Sequence, residues 1–352
     1  MTAALGVASR RRQAPAPSFV HLARLTDDTG LLEHARHAVA RRAHGYCTDD
    51  VARGLVVVSR EPDPAPAVLR LAEVYLSFLT HAQDDGGAFH NRLSYDRRWT
   101  DEPGLGDWWG RALWGLGTAA ARSTAPWIQQ EALLAFTLGA ERRSPAPHAM
   151  AFAGLGAAEV LRRHPDHAGA AALLADAAVA VGWPDSDPLW SWPRRHLAYA
   201  SAALAEVVIL AGEAQQDVAL RAAGLRMLSW LRDLQLVGDR LSVLPAAGWQ
   251  HGTPRQRYDQ QPIEVAALAD ACATAAAATG DASWHDGVRQ SVGWFLGDND
   301  TGAVMWDHAT GGGYDGLTPH GPNLNQGAES TLALIATLQH GRGPAGGGAA
   351  RR

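Results

Sequence analysis

Apolar positions recur at helical spacing through most of the chain, and Gly, Pro and Asp interrupt them at regular intervals. The pattern predicts twelve helices, near 28–42, 48–60, 66–82, 107–122, 124–140, 147–163, 167–181, 195–213, 215–236, 261–279, 281–297 and 325–340. Connections after the even helices are short: Glu61–Ala65, Ser123, His164–Asp166, Glu213–Ala214 and Gly280. Those after the third, seventh, ninth and eleventh are long, and hold most of the Trp, Gly and Asp outside helices. An even count with alternating loop lengths predicts six helical hairpins with one plain end and one functional end.

The helices also alternate in character. Segments 51–59, 151–160, 265–278 and 327–338 are apolar nearly all round and rich in Ala and Gly, as enclosed helices must be. Segment 215–236 instead sets Val218, Leu225, Leu228, Leu231 and Leu234 on one stripe, with Arg221, Arg226, Arg232 and Asp233 elsewhere. Six small-residue helices ringed by six amphipathic ones explain both patterns. The expected fold is therefore all-α, an (α/α)6 toroid forming one domain over 18–340. The flanks 1–17 and 341–352, rich in Pro, Gly, Ala and Arg, are expected to be disordered tails. A weak echo between Asp84-Asp85-Gly86-Gly87 and Asp300-Thr301-Gly302 is consistent with repetition.

Composition narrows the function. With 352 residues and 47% apolar content the chain can bury a large interior. A net charge of -5 gives no reason to expect nucleic acid as a partner. All 31 basic residues are arginine, which excludes Schiff-base lysines and the phosphate-loop lysine. Cys47 and Cys272 make no disulfide framework and no zinc motif, so neither metal nor cofactor is expected. No stretch of membrane-spanning length occurs, and no signal-peptide run precedes Arg10-Arg11-Arg12. The expected location is cytoplasmic.

If the even helices form the inner ring, their starts meet the long loops. Tyr46-Cys47-Thr48-Asp49-Asp50 opens the second helix, and Gly106-Asp107-Trp108-Trp109-Gly110-Arg111 the fourth. Tyr258-Asp259-Gln260-Gln261-Pro262-Ile263-Glu264 opens the tenth, and Asn325-Gln326-Gly327-Ala328-Glu329-Ser330 the twelfth. Acids distant in sequence would then converge on one cavity. Acetal cleavage needs such a set: one carboxylic acid protonates the leaving oxygen, and a second carboxylate activates water or attacks carbon. Asp49, Asp50, Asp107, Asp259, Glu264 and Glu329 are the catalytic candidates, although a first-turn Asp also serves as a helix cap or dipole partner. Pro262 is expected at a first helical position, which puts Glu264 in the first turn.

Loop tryptophans suit a sugar, since an indole face matches the C–H face of a pyranose, although they can equally pack down on the rim. Trp99, Trp183, Trp190, Trp192, Trp249 and Trp306 lie in long loops. Trp108, Trp109, Trp192, Trp249 and Trp306 are candidate platforms, with Tyr46 and Tyr258 beside them. His90, Asn91, Arg111, Gln260, Gln261, Asn325 and Gln326 are candidate hydroxyl ligands, as are His320 and Asn323. Asp298-Asn299-Asp300 reads as a turn, because the later ligands of a calcium loop are missing.

The runs His44-Gly45-Tyr46-Cys47-Thr48-Asp49-Asp50, Tyr258-Asp259-Gln260-Gln261-Pro262 and Asn325-Gln326-Gly327-Ala328-Glu329-Ser330-Thr331-Leu332 resemble a bacterial six-hairpin, glycosidase-like family. Its members stand beside, or fused to, glycosyltransferases and phosphosugar enzymes. The resemblance spans roughly 20–340 and implies sugar metabolism, with a glycosyltransferase as a possible partner. The family's first motif continues Asp-Asp-Asn-Ala-Arg. Here Val51 stands for that Asn while Ala52 and Arg53 remain, which puts one polar contact in question.

Together these features predict an enzyme acting on an oligo- or polysaccharide by inverting hydrolysis, with Glu264 or Asp259 set against Asp49 or Asp50. Asp107 and Glu329 are the alternates. Three other reactions suit the same frame. A sugar epimerase needs two opposed bases, commonly His, so an inner-helix His pair in the cavity would favour it; a terpenoid cyclase wants an aspartate cluster in an apolar aromatic pocket, and a lyase is the third. A non-catalytic glycan-binding module would have carboxylates scattered, or salt-bridged to Arg53 and Arg111.

Overall fold

The computed structural model describes residues 14–187 and 189–342, so 1–13 and 343–352 of the expected tails lie outside the described residues. Twelve α-helices are present among them, and their order is α1 Val20–Leu25, α2 Thr48–Ser59, α3 Pro66–Ala82, α4 Asp107–Arg122, α5 Pro126–Gly139 and α6 Pro147–Arg163. There follow α7 Ala168–Val181, α8 Ala202–Ala214, α9 Val218–Leu234, α10 Pro262–Thr279, α11 Trp284–Phe295 and α12 Ala328–Gly341. Proline occupies the first helical position of α3, α5, α6 and α10, where its missing N–H costs nothing and its fixed φ suits the first turn. Asp217 caps α9 by accepting from the Ala219 and Leu220 N–H groups at 2.9 and 3.0 Å.

The even helices form a closed ring. Each packs on the next, α2 on α4, α4 on α6, and so on through α8 and α10 to α12, which returns to α2. The odd helices α3, α5, α7, α9 and α11 wrap this ring, so the architecture is the expected (α/α)6 toroid. Small residues let inner backbones touch. A Cβ on Gly156 would fall 2.2 Å from the Leu113 carbonyl oxygen, and one on Gly117 would fall 2.3 Å from that of Gly156. On α9 the buried face is Ala223, Gly224, Met227, Leu228 and Leu231, while Val218 at the start of the predicted stripe is exposed.

One prediction fails. Residues 28–42 are not helical; α1 lies earlier, and the segment runs through short extended pieces, Ala35–Arg36 pairing with Val39–Ala40. Its backbone is bonded to distant chain instead of to itself. The Glu33 carbonyl accepts from Ala328 N–H, and the His37 carbonyl from Gln326 N–H. Long-range partners thus satisfy the groups that a helix would have paired internally.

The loops at the inner helices' N-terminal end are the long ones, 26–47, 83–106, 182–201, 235–261 and 296–327. Only two-stranded ladders occur in them, including Tyr46–Cys47 against Arg92–Leu93 and Gly316–Thr318 against Gly321–Asn323. No described helix is long and apolar enough to cross a membrane.

Gly156→Val is expected to force α4 and α6 apart at a cost of about 1–3 kcal/mol. A thermal-unfolding midpoint well below that of the parent would register it. Gly169→Ala, on the exposed start of α7, should leave the midpoint unchanged or raise it.

Candidate active site

The starts of α2, α4 and α12 meet at a cavity of about 430 Å³. Asp49 and Asp50 come from α2, Asp107 and Arg111 from α4, and Glu329 and Ser330 from α12. Gln261 precedes α10, and Tyr199 precedes α8. Glu33, His34, Arg92 and Asp315 reach in from the long loops.

Arg53, one turn into α2, organises the floor. Its Nη2 donates to Asp50 and its Nη1 donates to Glu329 Oε2 at 2.7 Å. Arg111 Nε lies 3.2 Å from Asp49 Oδ1, and its guanidinium covers the Phe152 ring at 4.2 Å. Asp315 holds the start of α12, accepting from Gly327 N–H at 2.8 Å and from Ser330 Oγ at 2.7 Å.

The two carboxyls on Arg53 differ in proton affinity. Burial raises Asp50 to about 7, against the opposing charge of Arg53, and the nearby charges of Glu329, Glu33 and Asp49 push the same way. Burial also acts to raise Glu329, but the charge and hydrogen bond of Arg53, with Arg111, reverse it and leave the group below its ordinary value. Asp50 is only 4% exposed, whereas the Glu329 side chain is 41% exposed to the cavity. Asp107 is raised by burial, partly offset by Arg111.

The remaining candidates lie elsewhere. Asp259 is exposed and outside the cavity lining. Glu264 is buried and turned away; it accepts from the Ala200 N–H and so ties α10 to the turn that starts α8. Burial raises it to about 8. Gln260 is fully buried, accepting from Trp294 Nε1 at 3.0 Å and donating to Asp300 at 2.8 Å. Tyr46 donates to Asp27 at 2.7 Å. His90 bonds the Asp101 carbonyl at 2.6 Å and stacks on Trp99, and Asn91 accepts from Cys47 Sγ. Asn325 accepts from the His37 N–H, and Gln326 from Thr310.

Among the described residues no tryptophan lines the cavity. Trp109 and Trp192 are buried, Trp108 donates to the Phe89 carbonyl at 2.6 Å, and Trp249 packs on Trp190. Trp306 contacts His308, and Tyr258 is half-buried away from the lining. Trp190, Trp192 and Trp249 cluster with Trp230, whereas Trp183 is exposed outside the cavity lining.

Glu33, His34, Arg92, Tyr199 and Asp315 were missed as candidates. Glu33 and His34 fall in the segment read as helix, and Asp315 in a loop whose return path no periodicity marks. Glu33, Cys47 and Asp50 place donor atoms within 4.8 Å of one another, the one cluster among the described residues with a metal-like spacing. Each is already engaged: Glu33 with Arg92, Asp50 with Arg53, and Cys47 as a thiol that burial keeps protonated. Such a donor set suits a cation poorly.

The helical frame and the ring of acids at one end define the class of molecule, an (α/α)6 toroid with an acidic axial pit. No family model and no curated protein matches the sequence. Solved structures do match in fold. A sugar epimerase from a ruminal bacterium is 12% identical with a TM-score of 0.68, over 93% of this chain and 95% of its own. Cellobiose 2-epimerase from Bacillus thermoamylovorans is 11% identical with a TM-score of 0.67, over 91% and 95%. A metagenome-derived glycoside hydrolase family 9 endoglucanase is 13% identical with a TM-score of 0.58, over 89% and 70%. At these identities the likeness is one of fold.

Glu264 supplies a test of the local electrostatics. Its pKa is higher folded than unfolded, so its stabilising contribution is full below about 4.5 and is lost as pH rises through about 8. Glu264→Gln keeps the acceptor for Ala200 and removes the ionisation. Chemical-denaturation curves at pH 5 and pH 8.5 should differ by a few kcal/mol less in the variant than in the parent.

Proposed function

We propose that this protein is a carbohydrate-active enzyme that hydrolyses a glycosidic bond in a neutral oligo- or polysaccharide. The observation that carries the reading is the Asp50–Arg53–Glu329 arrangement: two carboxyls of opposite proton preference share one guanidinium at the floor of one cavity. Asp50 is the general acid, donating to the leaving oxygen. Glu329, ionised and open to the cavity, is the base that activates water. Asp49 and Asp107 stand on the Arg111 side as contacts for sugar hydroxyls, with Gln261.

The lining carries Glu33, Asp49, Asp50, Asp107, Asp315 and Glu329 against Arg53, Arg92 and Arg111. This excess of acid suits an oxocarbenium-like transition state and disfavours a phosphorylated or uronic substrate. Support for a glycosyltransferase partner comes from the motif resemblance alone, and a substrate made by such an enzyme fits the reading.

Proton transfer at a sugar carbon is the second reading, favoured by the fold of the two epimerases. The same pair serves it, with Glu329 taking a proton and Asp50 returning one. His34, the only histidine of the lining among the described residues, comes from a loop, so the inner-helix His pair is missing from the pit. Pairing of Asp49, Asp50 and Glu329 to Arg53 and Arg111 is the mark of a binding module, although all three acids share one cavity instead of being scattered.

Incubation with a panel of neutral oligosaccharides in D₂O separates these readings. Hydrolysis yields new reducing ends without carbon-bound deuterium, whereas epimerisation yields deuterium at the inverted carbon and no new ends. Asp50→Asn and Glu329→Gln should each lower kcat by about 10²–10⁴-fold. Glycan binding without turnover, unchanged by Glu329→Gln, would overturn the enzyme reading.

Activity requires Asp50 protonated and Glu329 ionised. The rate should therefore fall as pH rises through about 7, and fall on the acid side only below the usual carboxylate range. A pH–rate profile checks both limbs.

A further inference from the structure

The toroid has a second pit at the opposite end, where the inner helices finish. It measures about 240 Å³, room for roughly eight waters at about 30 Å³ each. A narrower void of about 50 Å³ lies between it and the acidic cavity; its middle is apolar, with Val56, Ala266 and Leu332, and it shares Glu329 with the one pit and Glu206 with the other.

Apart from Arg162 at the exposed rim, the charges around this rear pit are settled internally. Asp270 Oδ1 accepts from Arg60 at 2.6 Å and from His340 at 2.5 Å, and Arg122 holds Glu159 through two nitrogens at 2.7 and 2.9 Å. Two uncharged positions are not settled. Glu206, 94% buried on α8 where void and pit meet, accepts from Thr274 at 2.7 Å through Oε1, while its Oε2 has no partner. Gln339 on α12 donates to the Val57 carbonyl at 2.8 Å, while its Oε1 is buried without a partner. Burial, aided by the charge of Asp270, raises Glu206 to about 8, so at neutral pH it carries a proton to donate.

We propose that the rear pit binds a small neutral polyhydroxylated molecule, of polyol or monosaccharide size, through Glu206 and Gln339. A hydroxyl can both accept from a carboxylic acid and donate to an amide oxygen, so a molecule carrying several can satisfy each position. Trp114, Leu155 and Leu210 give the pit an apolar wall for C–H surface. An anion is the poorer occupant, because the C-terminal ends of the inner helices carry partial negative charge, Arg60 and Arg122 are already paired, and Arg162 stands at the exposed rim.

The test uses calorimetric titration of the full chain with glycerol, myo-inositol, glucose and mannose, and with inorganic phosphate beside them. The Asp50→Asn/Glu329→Gln double variant removes turnover at the acidic cavity, and a plug in the rear pit tells the two pits apart. In the double variant, at least one of the four neutral ligands should still saturate at one site. Gln339→Leu should weaken that binding by about tenfold. Ala277→Trp, a plug from the exposed rim of α10, should abolish it while leaving the unfolding midpoint and any turnover at the acidic end unchanged. No saturable neutral ligand overturns the proposal, as does binding of phosphate alone. Binding that survives the plug, whether or not the double variant retains it, also overturns the proposal.

Discussion

Arg53 joins the two ends of the inner ring. Elsewhere in that ring Gly and Ala bring neighbouring backbones close, as between α4 and α6, with ion pairs such as Arg122 to Glu159 near the helix ends. Where α12 closes on α2 the contacts are polar: Arg53 to Glu329, and Gln339 to the Val57 carbonyl. A guanidinium nearly out of reach of water is tolerable only with its counter-charges in place, and those counter-charges are the acids of the pit. Closing the ring and assembling the site are therefore one interaction. Removing the arginine would leave two deep carboxyls unpaired and the seam unstitched.

Much of this was legible in the chain. Ala/Gly-rich segments alternating with amphipathic ones define inner and outer helices, because a helix enclosed on all sides has no polar face to show. Acids at the starts of α2, α4 and α12 therefore had to converge. Less legible was which side of its helix each acid faces. Glu264 and Glu329 both open apolar helices, yet one turns to Ala200 and the other to the pit. Hydrophobic periodicity carries no phase when every face is apolar. The misreading of 28–42 has a related cause: its partners at Gln326 and Ala328 lie at the far end of the chain, beyond any local pattern. The tryptophans were ambiguous for a third reason, since burying an indole under a rim and offering it to a sugar need the same residue in the same loop.

Three buried carboxyls, Asp50, Glu206 and Glu264, have raised proton affinity from the same cause, loss of water. Their surroundings assign them different work. Glu264 bonds backbone and serves the scaffold. Asp50 stands beside a cation and a second carboxyl at the edge of the acidic cavity, which is the setting that the proposed acid role calls for. A perturbed pKa alone therefore marks burial, and only its neighbours mark use.

The unequal connections at the two ends govern how this architecture can diversify. Turns such as 123–125, 215–217 and 280–283 leave no slack, so a residue gained or lost there would shift one helix along its neighbours. Segments 83–106, 235–261 and 296–327 can lengthen, shorten or be exchanged while the helical cylinder beneath stays in step. New specificities can thus be spliced onto one rim of an unchanged frame.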